Sequence, residues 1–192
     1  MPQAKLLDRG EKMIKYEIEK KTLLSEAQYK TLLGNFADKS IKDTIQINYY
    51  YDTENNTFLN NNETLRVRQI NDGLELQFKY DKNIQDTVRV SKEFCKKIHR
   101  LPKLIMIDNL VANYIGSLLT ERKRKIFATY TVCLDKNYYI GKVDYEMEVE
   151  VANISDMPIE LFGVTFNTNC IGKYTRFANE LIKQEVRYEI SR

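Results

Sequence analysis

Along most of this chain apolar and charged residues alternate one by one, and within each alternating stretch the charges are mostly of one sign. Ile14, Tyr16 and Ile18 alternate with Lys15, Glu17, Glu19 and Lys21, and Leu65 and Val67 with Arg66 and Arg68. Leu74, Leu76 and Phe78 alternate with Glu75, Gln77 and Lys79, and Tyr145, Met147, Val149 and Val151 with Asp144, Glu146, Glu148 and Glu150. Shorter pieces of the same kind run from Ile45 to Asp52, from Val88 towards Glu93, and from Thr131 towards Asp135. A repeat of two is the repeat of a β-strand. Same-face neighbours on a strand lie about 6.5–7 Å apart, so carboxylates in line repel unless a cation or a basic strand faces them.

Two arrangements relieve that repulsion. One is a solvent-exposed sheet face laced with alternating salt bridges. The other is a closed barrel, with apolar faces packed outward on helices and charged faces pointing into the lumen. Solvent faces normally intersperse their signs and include Ser, Thr and Gln, so strands of single sign favour the barrel. Such a lumen suits a polyanion held together with divalent cations. Carboxylates take hard cations such as Mg²⁺ or Mn²⁺, and Arg forks take phosphate oxygens in pairs.

Turn residues between these stretches favour antiparallel pairing: Asn55-Asn56, Asn60-Asn61-Asn62, Asn71-Asp72-Gly73 and Asp135-Lys136-Asn137. Ser25 and Gln28 form a capping box ahead of Tyr29, Leu32, Leu33 and Phe36 at helical spacing. After Pro102 the apolar run Leu104 to Leu119 reads as a helix broken near Gly116, and Met157 to Phe162 as a short one. A last helix runs from Lys173 to Ile190, with Tyr174, Phe177, Ala178, Leu181, Ile182 and Val186 on one stripe. About eight strands and three or four helices make an α+β domain with a large antiparallel sheet. Residues 1–12 are polar and aperiodic and read as a loosely ordered extension, with Met13 as an alternative start and residues 13–192 as a single domain.

Composition excludes several classes of function. The 30 basic and 27 acidic residues leave a net charge of +3, too little to require nucleic acid. No apolar run is long enough to span a membrane, and the first residues lack a secretory h-region. Cys95, Cys133 and Cys170 are odd in number and widely spaced, which fits reduced thiols in the cytoplasm. His99, the single histidine, lies in a basic run and reads as a surface residue, so His-based metal sites and catalytic triads have no material.

Ordered along the chain, the charged strands resemble those of the CYTH proteins, the triphosphate tunnel metalloenzymes. Glu17-Ile18-Glu19-Lys20-Lys21 matches the ExExK signature, Leu65-Arg66-Val67-Arg68 the LRxR strand, and Lys79 the lysine of the T-x-K strand. Glu93 falls where a further acid is expected. Thr120-Glu121-Arg122 resembles T-x-R, Leu134-Asp135 the LD pair, Asp144 to Glu148 the late ExE strand, and Lys173 to Phe177 the K-x-x-R-F opening of the last helix. The pattern departs at Gln77, where the family has Thr, and around Arg89 to Phe94.

The resemblance implies an eight-stranded antiparallel closed barrel, a tunnel with helices outside and a triphosphate within. It implies Glu17, Glu19, Asp135, Glu146 and Glu148 as ligands of Mg²⁺ or Mn²⁺. It implies Lys21, Arg66, Arg68, Lys79, Arg122 and Lys173 as phosphate-binding bases. Glu17, Glu19, Lys21 and Glu93 are the expected catalytic groups. Arg176 joins the phosphate set, the alternative for a first-turn arginine being an ion pair. Glu150 reads as a rim residue, and Arg124 is undecided. The expected activity is hydrolysis of inorganic tripolyphosphate or a small organic triphosphate by a cytoplasmic monomer or homodimer, with no nucleic-acid or membrane partner. A class IV adenylate cyclase and a non-catalytic triphosphate or polyphosphate sensor are the alternatives.

Overall fold

A computed structural model describes residues 6–7, 14–36, 41–85, 87–166 and 170–190, with side chains at all of these except 6–7 and 187–190. Ten strands form one sheet: β1 (Leu6–Leu7), β2 (Ile14–Leu24), β3 (Lys42–Asp52), β4 (Thr64–Ile70), β5 (Gly73–Gln85), β6 (Val88–Ile98), β7 (Leu104–Ile107), β8 (Leu110–Ile126), β9 (Tyr130–Tyr139) and β10 (Lys142–Val151). Three α-helices accompany them: α1 (Glu26–Asn35), the single-turn α2 (Thr57–Asn60) and α3 (Lys173–Ile190). Eight strands close on themselves in the order β8-β3-β4-β5-β6-β2-β10-β9, with β9 pairing back to β8. Every pairing around the ring is antiparallel. The expected barrel is therefore present. Closure pairs each of these eight strands on both sides over its central part, leaving free edges only where strands overhang their neighbours, as in β8 and the β5–β6 hairpin.

The alternation seen in the sequence is resolved as predicted, with charges inward and apolar side chains outward. Three apolar clusters cover the outside and one end. Leu24, Val132, Leu134, Met147 and Val149 of β2, β9 and β10 pack under Tyr29, Leu32 and Phe36 from α1 and its C-terminal end. That helix starts on the predicted capping box: Gln28 N donates to Ser25 Oγ (3.2 Å) and Ser25 N to Gln28 Oε1 (2.8 Å). On the opposite wall Leu65, Val67, Leu76, Phe78 and Phe94 are covered by Ile105, Ile107 and Ala112, with Phe58 from α2. At one end Tyr50 and Leu118 receive Tyr174, Phe177 and Ala178 of α3. Each buried Leu, Ile, Val, Met or Phe among them contributes on the order of 1.5–3 kcal/mol.

Three expectations are corrected. Leu104 to Leu119 is not a helix: it is the hairpin of β7 and β8, turning at Asp108 and Asn109, both with positive φ (45° and 68°). The run is apolar on both sides because β7 and the start of β8 lie over the outer wall of the barrel, the place expected of a helix. Asp135-Lys136-Asn137 is not a turn but the middle of β9; the chain reverses at Ile140-Gly141, again with positive φ at both residues. Met157 to Phe162 is irregular, preceded by a 3₁₀ turn at Ile154–Asp156. Of residues 1–12 only Leu6 and Leu7 fall within the described residues, where they pair in parallel with Met106 and Ile107. No helix among the described residues is long and apolar enough to cross a membrane.

Gly116 sets the position of α3. It faces Tyr50 at a bulge in the pairing of β3 and β8, with φ +142°. A Cβ there would stand 2.6 Å from Cζ of Phe177, so the glycine is what lets the Phe177 ring close onto the barrel end. Asp52, the last residue of β3, accepts from the backbone N–H groups of Phe58 and Leu59 (2.9 and 3.0 Å) and from the Tyr174 hydroxyl. One buried carboxylate thus fixes both α2 and α3 against the same end.

Candidate active site

The inward faces line a narrow pocket that opens to solvent at its mouth. Glu17, Glu19 and Lys21 of β2, Arg66 and Arg68 of β4, Lys79 of β5, Arg122 of β8, Glu148 of β10 and Lys173 of α3 all line it. Register brings the acids together on one wall. Asp135 lies opposite both Arg122 and Glu146, and Glu148 lies opposite Lys21. Asp135, Glu146 and Glu148 are buried, and each offers an oxygen within 4.8 Å of the other two. Three converging carboxylate oxygens fit a hard divalent cation.

Lys173, the first residue of α3, reaches into that cluster. Its Nζ lies 2.8 Å from Asp135 Oδ2 and 2.8 Å from Glu148 Oε1, and also contacts Glu146. Arg122 forks onto Asp135 (Nε–Oδ1 2.7 Å, Nη2–Oδ2 2.6 Å) and touches Glu148. Lys21 bridges Glu19 (2.5 Å) and Glu148 (3.4 Å). Burial by itself would raise the Glu148 carboxyl, but Lys173, Arg122 and Lys21 hold it well below the usual carboxylate range. Asp135 is lowered in the same way by Arg122 and Lys173 against the effect of burial. Glu146 goes the other way, because burial outweighs Lys173 and Arg176. Burial would lower Lys173, yet its three carboxylates raise it well above an ordinary lysine.

The facing wall is basic and differently paired. Arg66 Nε donates to Gln77 Oε1 (2.8 Å) and Arg68 Nε to Asn48 Oδ1 (3.1 Å). Neither has a carboxylate at ion-pair distance among the described residues. Neutral amides orient the two guanidinium groups and leave charge uncompensated inside the barrel. Burial, with Arg66 and Arg122 nearby, pushes Arg68 down to about 10. Gln77, the departure from the family's Thr, is thus the residue that aims Arg66.

The remaining expected residues fall as follows. Burial would raise the Glu17 carboxyl, but Lys79, which it contacts, together with Lys21 lowers it. Glu93 lies 3.7 Å from Lys79 Nζ and does not line the cavity. Glu17 and Glu19 are not part of the three-carboxylate cluster. Arg176 turns from the lumen to Asp144 (Nε–Oδ2 2.8 Å) and Glu146 (Nη1–Oε2 2.7 Å), the ion-pair alternative. Glu150 lines the cavity, 3.9 Å from Arg122 Nη1.

Several lining residues were not read from the sequence: Gln46, Asn48, Thr64, Ser91, Arg89 and Lys82. Gln46 and Asn48 share a face by the period of two and could have been found. Lys82 could not, because the pairing of β5 with β6 slips between Tyr80 and Asn83 and resets which residues point inward.

A closed antiparallel barrel with an internal acid cluster, a facing basic wall and a helix across one end defines a β-tunnel protein. The chain belongs to the CYTH family: the CYTH domain model matches residues 15–159. YjbK of Bacillus subtilis, assigned as a triphosphatase, is 28% identical over 152 residues, covering 71% of this chain and 78% of its own. Among solved structures, a protein of Bacillus halodurans assigned as an adenylate cyclase superposes with TM-score 0.59 at 20% identity, over 75% of this chain and 84% of that one. The Hippeastrum protein HpAC1, described as revealing a dominant triphosphatase activity, superposes with TM-score 0.65 at 16% identity, over 85% and 95%.

Proposed function

We propose that this protein is a cytoplasmic, Mg²⁺- or Mn²⁺-dependent triphosphatase that hydrolyses inorganic tripolyphosphate or a small organic triphosphate inside the barrel. The observation that carries this reading is the pair Arg66 and Arg68, inward-facing cations held by amides rather than acids, across the lumen from three buried carboxylates. Burying a cation without its counter-ion is costly, and an anionic substrate removes that cost. The triphosphatase assignment of YjbK supports the same reading.

Asp135, Glu146 and Glu148 are the residues that would hold the cation, which supplies charge neutralisation and Lewis acidity at the phosphates. Phosphoryl transfer needs positioning and charge stabilisation more than covalent chemistry, and among the described residues no His or Cys lines the cavity. Arg66 and Arg68 take phosphate oxygens through the fork positions their amide partners leave open. Lys21, Arg122 and Lys173 are balanced by acids in the ligand-free protein. When phosphate arrives they exchange carboxylate for phosphate oxygen, which frees the acids for the cation. Glu17 and Glu93 flank Lys79 and hold its ammonium toward the lumen. Tyr174, the only aromatic lining residue among those described, is buried, its ring tilted at 38° against Tyr50 and its hydroxyl committed to Asp52. No ring face is left there to receive an adenine, which favours hydrolysis over cyclisation.

The test is turnover of tripolyphosphate, thiamine triphosphate and ATP with Mg²⁺ or Mn²⁺, with products followed by ³¹P NMR. Orthophosphate release is the expected result. Cyclic AMP with pyrophosphate, or tight binding with no product, would replace this reading with the cyclase or the sensor.

A further inference from the structure

We propose that Lys82 builds an additional anion subsite at the α3 end of the barrel, which selects linear inorganic polyphosphates of four or more phosphates over tripolyphosphate. The proposal rests on the triphosphatase reading of the central site. Beyond Lys79, β5 and β6 continue as a hairpin past the start of β4, overhanging the mouth. The slip between Tyr80 and Asn83 turns Lys82 inward while Asp81, with φ 49°, points to solvent. Lys82 Nζ donates to Thr64 Oγ1 at 3.1 Å and has no carboxylate at ion-pair distance among the described residues.

The surroundings of Lys82 are cationic or neutral. Asn62 and Thr64 come from the start of β4, Ile84 from β5 and Arg89 from the facing strand β6. Burial is the largest influence on its ammonium and, with Lys79, Lys21 and Arg89 against Glu19, pushes it down to about 7. All the other lysines in the cavity have acids at hand: Lys79 has Glu17, Lys21 has Glu19, and Lys173 has its three. A lysine left without one, along the path by which a bound chain leaves the site, calls for a trailing anion. Among the described lining residues the mouth has no free aromatic face, and Ile84 is its one aliphatic side chain. A phosphate chain one or more units longer than the central site holds would meet Lys82 and Arg89 there.

The test is calorimetric titration of the metal-free, full-length protein with tripolyphosphate and with tetrapolyphosphate. A charge-assisted contact to this half-buried lysine is expected to make tetrapolyphosphate bind about tenfold more tightly. Lys82→Met should bring the ratio of the two affinities close to one, and Lys82→Arg should restore it. In buffers of different ionisation enthalpy near pH 8, tetrapolyphosphate should draw a proton onto the wild-type protein that tripolyphosphate does not, and Lys82→Met should abolish the difference. Equal affinities in the wild type, or equal weakening of both ligands by Lys82→Met, would overturn the subsite and leave the triphosphatase reading standing. Failure of either anion to bind would overturn both.

Discussion

Lys173 Nζ lies 2.8 Å from Asp135 Oδ2, so the first residue of the C-terminal helix is an ion-pair partner of a fully buried acid in the middle of β9. The ammonium stands among the same three carboxylates that could hold a metal ion. The acid cluster is thus balanced partly by the helix, with Arg122 and Lys21 contributing from the barrel wall.

Removing that ammonium should therefore unbalance the fold. Lys173→Met leaves three buried carboxylates short of a cation and is expected to cost about 3–5 kcal/mol in metal-free buffer. Mn²⁺ should restore more stability to the variant than it adds to the wild type, since it enters the vacated position. Urea denaturation with and without MnCl₂ measures both, and an equal response to Mn²⁺ in the two proteins would mean that the cluster does not take the metal.

Arg68 predicts the opposite sign. Its guanidinium has an amide partner but no carboxylate at ion-pair distance among the described residues, so Arg68→Met should leave the ligand-free protein as stable as wild type or up to about 1 kcal/mol more stable. That gain corresponds to roughly 2–4 °C in Tm for a chain of this size. Tripolyphosphate affinity should fall about tenfold or more with the loss of a charge-assisted contact. Thermal scans with and without tripolyphosphate separate the two effects.

At Gly116 the prediction concerns packing. Gly116→Ala places a methyl 2.6 Å from the Phe177 ring and demands φ near +142° from a residue with a Cβ. A loss of about 1–3 kcal/mol is expected. Phe177→Leu combined with it should recover the part due to the ring but not the part due to the backbone, which a double-mutant cycle by urea denaturation can apportion.

The pH dependence follows from Glu148 and Asp135, both held below their ordinary values. On acidification the unfolded chain, titrating near about 4, takes up protons before the folded one does. Their contribution to stability is thus complete above that range and is lost as pH falls through the lower folded values. Glu148→Gln should consequently be strongly destabilising at pH 7 and less so near pH 3.5. A constant difference across that range, measured by urea unfolding, would contradict the assigned direction.

The barrel was legible because its polar faces alternate without interruption: Glu17, Glu19 and Lys21 on one strand and Arg66 and Arg68 on another could lie inside only if the sheet closed. Periodicity failed where a segment has no polar face. In the outer hairpin of β7 and β8, Ile105, Ile107 and Ala112 are buried against the barrel wall. Their apolar run carries no period of two, and only the Asp108-Asn109 turn betrays the hairpin. The partners of charges were also out of reach. Arg176 and Lys173 both open α3, yet Arg176 forks onto Asp144 and Glu146 Oε2, whereas Lys173 stands among all three acids of the cluster. A sequence shows which bases exist and not which acid lies nearest in space.

The place of β2 in the ring bears on how the chain reaches this state. It is the first strand of the barrel, yet its partners are β6 and β10, so Lys21 meets Glu148 across a separation of 127 residues. On a ribosome β2 emerges early and must wait for nearly the whole chain before its second edge is covered. Pairings of such long range make folding slow and leave strand edges open to other chains. Lys15, Glu17, Glu19 and Lys21 lie on this waiting strand, and charged side chains on an open edge disfavour stacking with a neighbour. The charges that face the lumen in the finished barrel would thus also guard it against aggregation before it closes.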